Sequence, residues 1–171
     1  MTAWLARFLA VIALTAAHVV AARADDHTGP VCVTDGDTLV VNGRRAHGRC
    51  NGGVPVRLFG VDAPALEQTC KHPSGRDFLC GRAAASFLLQ TVRDRPVHCT
   101  GKVTNDFGYL LATCDVDGKN LNALLVREGW ALADRMHSDA YVAEEEEAKA
   151  AKRGVWGMQF VPPWEWKPSK R

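Results

Sequence analysis

The chain has 171 residues, 21 of them lysine or arginine and 19 aspartate or glutamate, with a formal net charge of +2 and 47% hydrophobic residues. This composition excludes a disordered polar chain, and it lacks the basic excess of a protein that holds nucleic acid by charge alone. It suffices for one domain with its own core.

Residues 1–24 read as an export signal. Arg7 supplies the basic start, Phe8 to Val20 the apolar stretch and Ala22-Arg23-Ala24 the small-residue cleavage site. The apolar run is shorter than the about 20 residues a spanning helix needs, and no cysteine follows the cleavage site to carry a lipid. The expectation is a periplasmic or secreted protein with no stable membrane span after cleavage. Residues 25–171 then form a single domain with a C-terminal tail from about residue 157. Both leader charges are arginines, so the remainder holds 19 basic and 19 acidic residues. Arg44, Arg45, His47 and Arg49 cluster locally, as a basic face or as an ordinary solvated loop.

Val31 to Thr34 and Thr38 to Val41 are β-branched runs around an Asp-Gly turn, a hairpin signal. Asn42 to Gly53 is polar and glycine-rich and reads as a loop. Val54 to Val61 alternates and reads as a third strand, and Gly81 to Val92 carries apolar residues at helical spacing. Pro96 to Val103 and Tyr109 to Val116 form a second hairpin around Asn105-Asp106-Phe107-Gly108. Asn120 is placed to cap a helix from Leu121 to Glu128 that stops at Gly129. A last helix is expected from Ser138 or Asp139 to Arg153, with Glu144 to Glu147 as a solvated face at its favourable end.

All six cysteines follow residue 24, and an even count in an exported chain favours disulfides. Cys99 and Cys114 are equidistant from the centre of the second hairpin, so they face each other across it. Cys70 and Cys80 flank a short Pro/Ser/Gly loop, which leaves Cys32 for Cys50. A metal site on Cys70, His72 and Cys80 is the rival reading; it lacks the second ligand pair such sites use.

The chemistry concentrates in two segments. Asp35-Gly36-Asp37-Thr38 is a tight acidic turn. Arg57-Leu58-Phe59-Gly60-Val61-Asp62-Ala63-Pro64 carries an arginine and ends on an aspartate. Carboxylates and a guanidinium at strand ends suit a hard cation and a phosphate.

With Gly81-Arg82-Ala83-Ala84, Leu111-Ala112, Asp117-Gly118, Leu121-Asn122, Leu125 to Gly129 and Gly154-Val155-Trp156, the two segments resemble the staphylococcal-nuclease-like (thermonuclease) family. The resemblance covers Pro30 to Trp156 and continues into a tail, Phe160 to Trp166, like that of exported bacterial members. It implies an α+β, β-rich fold: a five-stranded OB-type barrel with three helices, which the element order also suits. It further implies calcium-dependent hydrolysis of DNA or RNA phosphodiesters. Asp37, Asp62 and the backbone carbonyl of Ala63 would be the metal ligands. Asp35 would be a nearby carboxylate, and Arg57 would bind the phosphate.

The chain departs from the family pattern at two positions. The general base is expected at residue 65, where Ala65 cannot accept a proton. The second arginine is expected at residue 109, where Tyr109 offers a hydroxyl rather than a cationic fork. Glu67 is the one nearby substitute base, with a plain surface carboxylate as its alternative. Asp35, Asp37 and Asp62 have a bland alternative too, as turn and backbone-capping residues. The expectation is a family domain with weak or lost hydrolysis. The alternative is a non-catalytic envelope module that binds nucleic acid, another anionic polymer or a protein partner.

Overall fold

The computed structural model describes residues 25–166; the expected leader lies outside them. The first strands are β1 (Asp25–Gly29), β2 (Val31–Asp35) and β3 (Thr38–Val41), then a small hairpin, β4 (Arg44–Ala46) and β5 (Arg49–Asn51). Next come β6 (Val54–Leu58), β7 (Val61–Asp62), β8 (Cys70–Lys71) and β9 (Asp77–Phe78), leading into helix α1 (Cys80–Val92). The long strands β10 (Val97–Thr104) and β11 (Leu110–Val116) precede β12 (Lys119–Asn120), α2 (Leu121–Arg127), β13 (Leu132–Ala133) and α3 (Val142–Ala150).

The main sheet runs in the order β1-β10-β11-β6-β3-β2, with β12 paired to β11. Its pairs are antiparallel except β11 with β6, which run parallel. The five expected strands share this one curled sheet, with β1 and β12 added at its margins. The protein is therefore α+β and strand-rich, with three helices. Leu39, Val41, Val56 and Leu58 from the sheet meet Leu88 of α1 and Leu121 and Leu125 of α2 in one continuous core. At about 25 cal/mol per Å² of apolar surface removed from water, this burial is what holds the helices on the sheet.

Several local expectations need correction. Residues 42–53 are not a plain loop: β4 and β5 pair there, and Arg45 donates from its guanidinium to the Val33 carbonyl. The third strand ends at Leu58 rather than Val61, because Gly60 takes φ +75° and starts a new direction. The last helix begins at Val142 and ends at Ala150; beyond it Lys152 and Gly154 have positive φ, which stops propagation. The second helix follows its signals, with the Asn120 side chain accepting from the Ala123 amide at 2.8 Å and Gly129 at φ +71°.

Disulfides join Cys32 to Cys50, Cys70 to Cys80 and Cys99 to Cys114. They tie the β4–β5 hairpin to β2, staple the loop before α1, and cross-link β10 to β11. Among the described residues no helix is long and apolar enough to cross a membrane.

Candidate phosphodiester site

The site forms where three chain reversals meet. Asp35, Gly36 and Asp37 turn the chain from β2 into β3. A Cβ on Gly36 would stand 2.8 Å from the side-chain carbons of both Ala63 and Ala84. Glycine at this position therefore lets the acidic turn lie against α1 and the segment after β7. The break at Gly60 folds Asp62 back toward Arg57, and β7 is held there by antiparallel pairing with β13.

Asp37 is 2% exposed. Its Oδ1 accepts from the Thr38 hydroxyl at 2.7 Å and its Oδ2 from the Ala63 amide at 3.0 Å. One nitrogen of Arg57, Nη2, lies 3.1 Å from Asp37 Oδ2 and 2.7 Å from Asp62 Oδ1. Asp35 Oδ1 accepts from the Gly36 amide at 2.7 Å.

Burial, reinforced by the Asp37 charge, pushes the carboxyls of Asp35 and Asp62 up to about 6. Burial works against the charge of Arg57, but Asp37, Asp62 and Asp35 outweigh it and hold its pKa above the usual arginine range. Three carboxylates around one guanidinium leave excess negative charge in a half-buried space. An added cation would relieve that charge.

The oxygen donors and the raised carboxyls fit a hard cation such as calcium in kind. Asp37 and Asp62 now meet through Arg57. Among the described residues no group of three or more His, Cys, Asp or Glu side chains is gathered around a common metal position.

Arg57 stands between two cavities. The smaller, about 370 Å³, is lined by Asp35, Thr38, Arg57, Asn105, Phe107 and Tyr109. Tyr109 thus opens on the same space as the acidic turn. Its amide and that of Phe107 donate to Asn105 Oδ1, at 3.0 and 3.1 Å, which sets the turn that presents it. The larger cavity, about 640 Å³, lies on the Asp62 side between the 134–137 turn and the C-terminal tail.

The fold thus brings Asp35, Asp37, Arg57 and Asp62 together, with Tyr109 across the smaller cavity. Ala65 follows the Ala63 amide in a tight segment packed on α1: a Cβ on Gly81 would come within 1.7 Å of the Ala65 carbonyl oxygen. Glu67 is exposed and lines neither cavity.

Sequence reasoning overlooked the wall opposite Arg57. There Asp134 Oδ2 meets His137 Nδ1 at 2.6 Å. Glu145 is not a solvated residue. It is 3% exposed, accepts from the Ala133 amide at 3.1 Å and binds Arg135 at 2.7 Å and Lys149 at 2.9 Å. The available signal was its position i−4 to Lys149.

A family model described as staphylococcal nuclease homologue matches residues 55–158. The chain belongs to the staphylococcal nuclease family. This family member is 31% identical over 166 residues to a micrococcal nuclease of Shigella flexneri, a match covering 89% of this chain and 86% of that protein. It is 32% identical over 142 residues to the succinoglycan biosynthesis protein ExoI of Rhizobium meliloti, covering 81% of this chain and 69% of the other. An uncharacterized endonuclease of Haemophilus influenzae is 25% identical over 144 residues, covering 82% and 72%. The matched segment includes β6, the Gly60 break, Asp62 and Ala65, but ends before most of the tail.

Proposed function

We propose that the protein is an exported, single-domain member of the family, cleaved after residue 24, that binds a phosphodiester strand at Arg57 and hydrolyses it weakly or not at all. The observation that carries the reading is the Arg57–Asp37–Asp62 cluster beside an alanine at residue 65. Arg57 supplies the cation for one phosphate. Asp37, Asp62 and the Ala63 carbonyl are the groups that would hold calcium, with Asp35 beside them. Bound there, the ion would neutralise charge on the phosphate.

Proton transfer from water is the missing part. Ala65 has no base to offer, Glu67 faces away from both cavities, and Tyr109 donates at most one neutral hydrogen bond. Lack of a general base costs about 10²–10⁴ in rate and lack of a preorganised charge donor about 10²–10³, with the two effects not strictly additive. Three disulfides support a working life in an oxidising compartment.

A second reading, recognition of another anionic polymer or of an envelope protein, draws on the relative named for succinoglycan biosynthesis and on the balanced charge of residues 25–171. The deciding experiment incubates the oxidised protein with denatured DNA, in calcium and in chelator, beside Asp37→Ala. Barely detectable cleavage is expected, together with salt-sensitive binding of single-stranded DNA that Arg57→Ala weakens. Rapid calcium-dependent cleavage lost in Asp37→Ala would overturn the inactive reading. Absence of any salt-sensitive binding would remove nucleic acid as the ligand.

A further inference from the structure

The larger cavity has a different character from the cluster it adjoins. Arg57 and Asp62 form one end of it, and the turn with Met136 and the tail with Phe160 and Trp164 form its sides. Its volume, about 640 Å³, falls in the range of small-ligand pockets.

The cations along it are already engaged. Arg135 binds Glu145 and Glu146 at 2.7 and 3.0 Å, and Lys149 binds the same two carboxylates at 2.9 and 3.0 Å. A second free phosphate would therefore find no unpaired cation among these side chains. Apolar surface remains on offer. Trp164 is 52% exposed and Met136 86% exposed. Trp156 and Phe160 lock each other edge to face at 5.2 Å, giving the tail wall a fixed shape.

We infer that this cavity is a base subsite, built by the C-terminal tail, which takes the nucleobase adjoining the phosphate held at Arg57. The inference rests on the reading that a phosphodiester lies at Arg57. Continuity supports it: Arg57 lines both cavities, so a strand crossing it has a neighbouring unit on each side. A planar, uncharged, polarisable ring suits the half-exposed indole of Trp164, because base–aromatic stacking needs a free π-face and no unpaired charge. Phe160, Pro162 and Trp164 lie beyond residue 158, where the family match ends, so this wall is additional to the matched domain. A duplex would have to unstack to deliver a base, so the subsite selects single strands or ends.

The test compares binding of a thymidylate hexamer with that of a hexamer of abasic phosphodiesters, which keeps the phosphates and removes the bases. The intact protein should bind the thymidylate about tenfold or more tightly than the abasic strand. Trp164→Ala should erase that difference while leaving abasic affinity unchanged, and Trp164→Phe should restore most of it. Arg57→Ala should weaken both strands by a similar factor. Trp164 is half exposed, so its replacement opens no core. As a second probe, Met136→Glu, on the facing wall, should also reduce the base-dependent part.

If Arg57→Ala weakens both strands but Trp164→Ala changes neither, the subsite is wrong and the phosphodiester reading stands. If neither strand binds, while alginate, an acidic polysaccharide, binds in a Trp164-dependent way, both readings fail.

Discussion

Arg57 reaches Asp62, five residues ahead of it, at 2.7 Å. On a continuous strand the two would lie about 16 Å apart at roughly 3.3 Å per residue. The left-handed Gly60 and the β7–β13 pairing remove that distance, so the site depends on an interruption of the strand that carries it.

Asp37 is the member of the cluster most bound to the fold. Asp37→Ala leaves the Ala63 amide and the Thr38 hydroxyl without their acceptor and takes one partner from Arg57. The expected loss is about 3 kcal/mol, against about 1 kcal/mol for the better solvated Asp62→Ala. Urea unfolding of the two variants reads the difference, and equal losses would contradict this ranking.

Restoring the two departed positions should restore chemistry. Ala65→Glu with Tyr109→Arg is expected to raise calcium-dependent cleavage of denatured DNA by about 10² or more over the unaltered chain. The gain should be less than the product of the single effects. A folded double variant with no gain would show that more than these two groups is missing.

Acid should act through Glu145. Burial favours its neutral form, but Arg135, Lys149 and the Ala133 amide outweigh that and hold its carboxyl below the usual glutamate value of 4.5. It binds a proton less readily folded than unfolded. Its contribution to stability is therefore present above the ordinary glutamate range and lost as pH falls through its depressed folded value. Glu145→Gln should unfold more easily at neutral pH and show a shallower loss on acidification. Melting curves between neutral pH and about pH 3 report both effects; parallel curves for the two proteins would refute the assignment.

Gly36→Ala should disturb the site without touching a charge. The added carbon meets Ala63 and Ala84 at 2.8 Å, so either the acidic turn or the segment after β7 must shift. A cost of about 1–3 kcal/mol is expected, with weaker single-strand binding. Unaltered melting and binding would mean the contact relaxes freely.

The architecture was largely legible because its signals are local. Alternation marked β2, β3 and β11, Asn120 and Gly129 bounded α2, and the symmetry of Cys99 and Cys114 about one turn predicted a cross-strand pair. The acidic turn and Arg57 were legible as chemistry. What escaped depends on tertiary partners. β1 is a short, mostly exposed edge that exists by pairing with β10. Glu145 sits in a run of four glutamates, and nothing local says that one of them faces inward to meet Ala133, Arg135 and Lys149. The larger cavity joins residue 57 to residue 164, a separation no motif records.

The tail wall is fastened to one loop. Gln68 Nε2 donates to the Val161 carbonyl at 2.7 Å, and Lys71 and Gln159 exchange backbone hydrogen bonds at 2.8 and 2.9 Å. Both attachments lie on or beside the segment stapled by Cys70 and Cys80. While those two sulfurs are still thiols, the anchor of the wall is a slack ten-residue span. Oxidation then acts as a clock for the cleft: a newly made chain in a reducing cytoplasm has an unfinished grip on the nucleic acid around it, and completes that grip only after it has left.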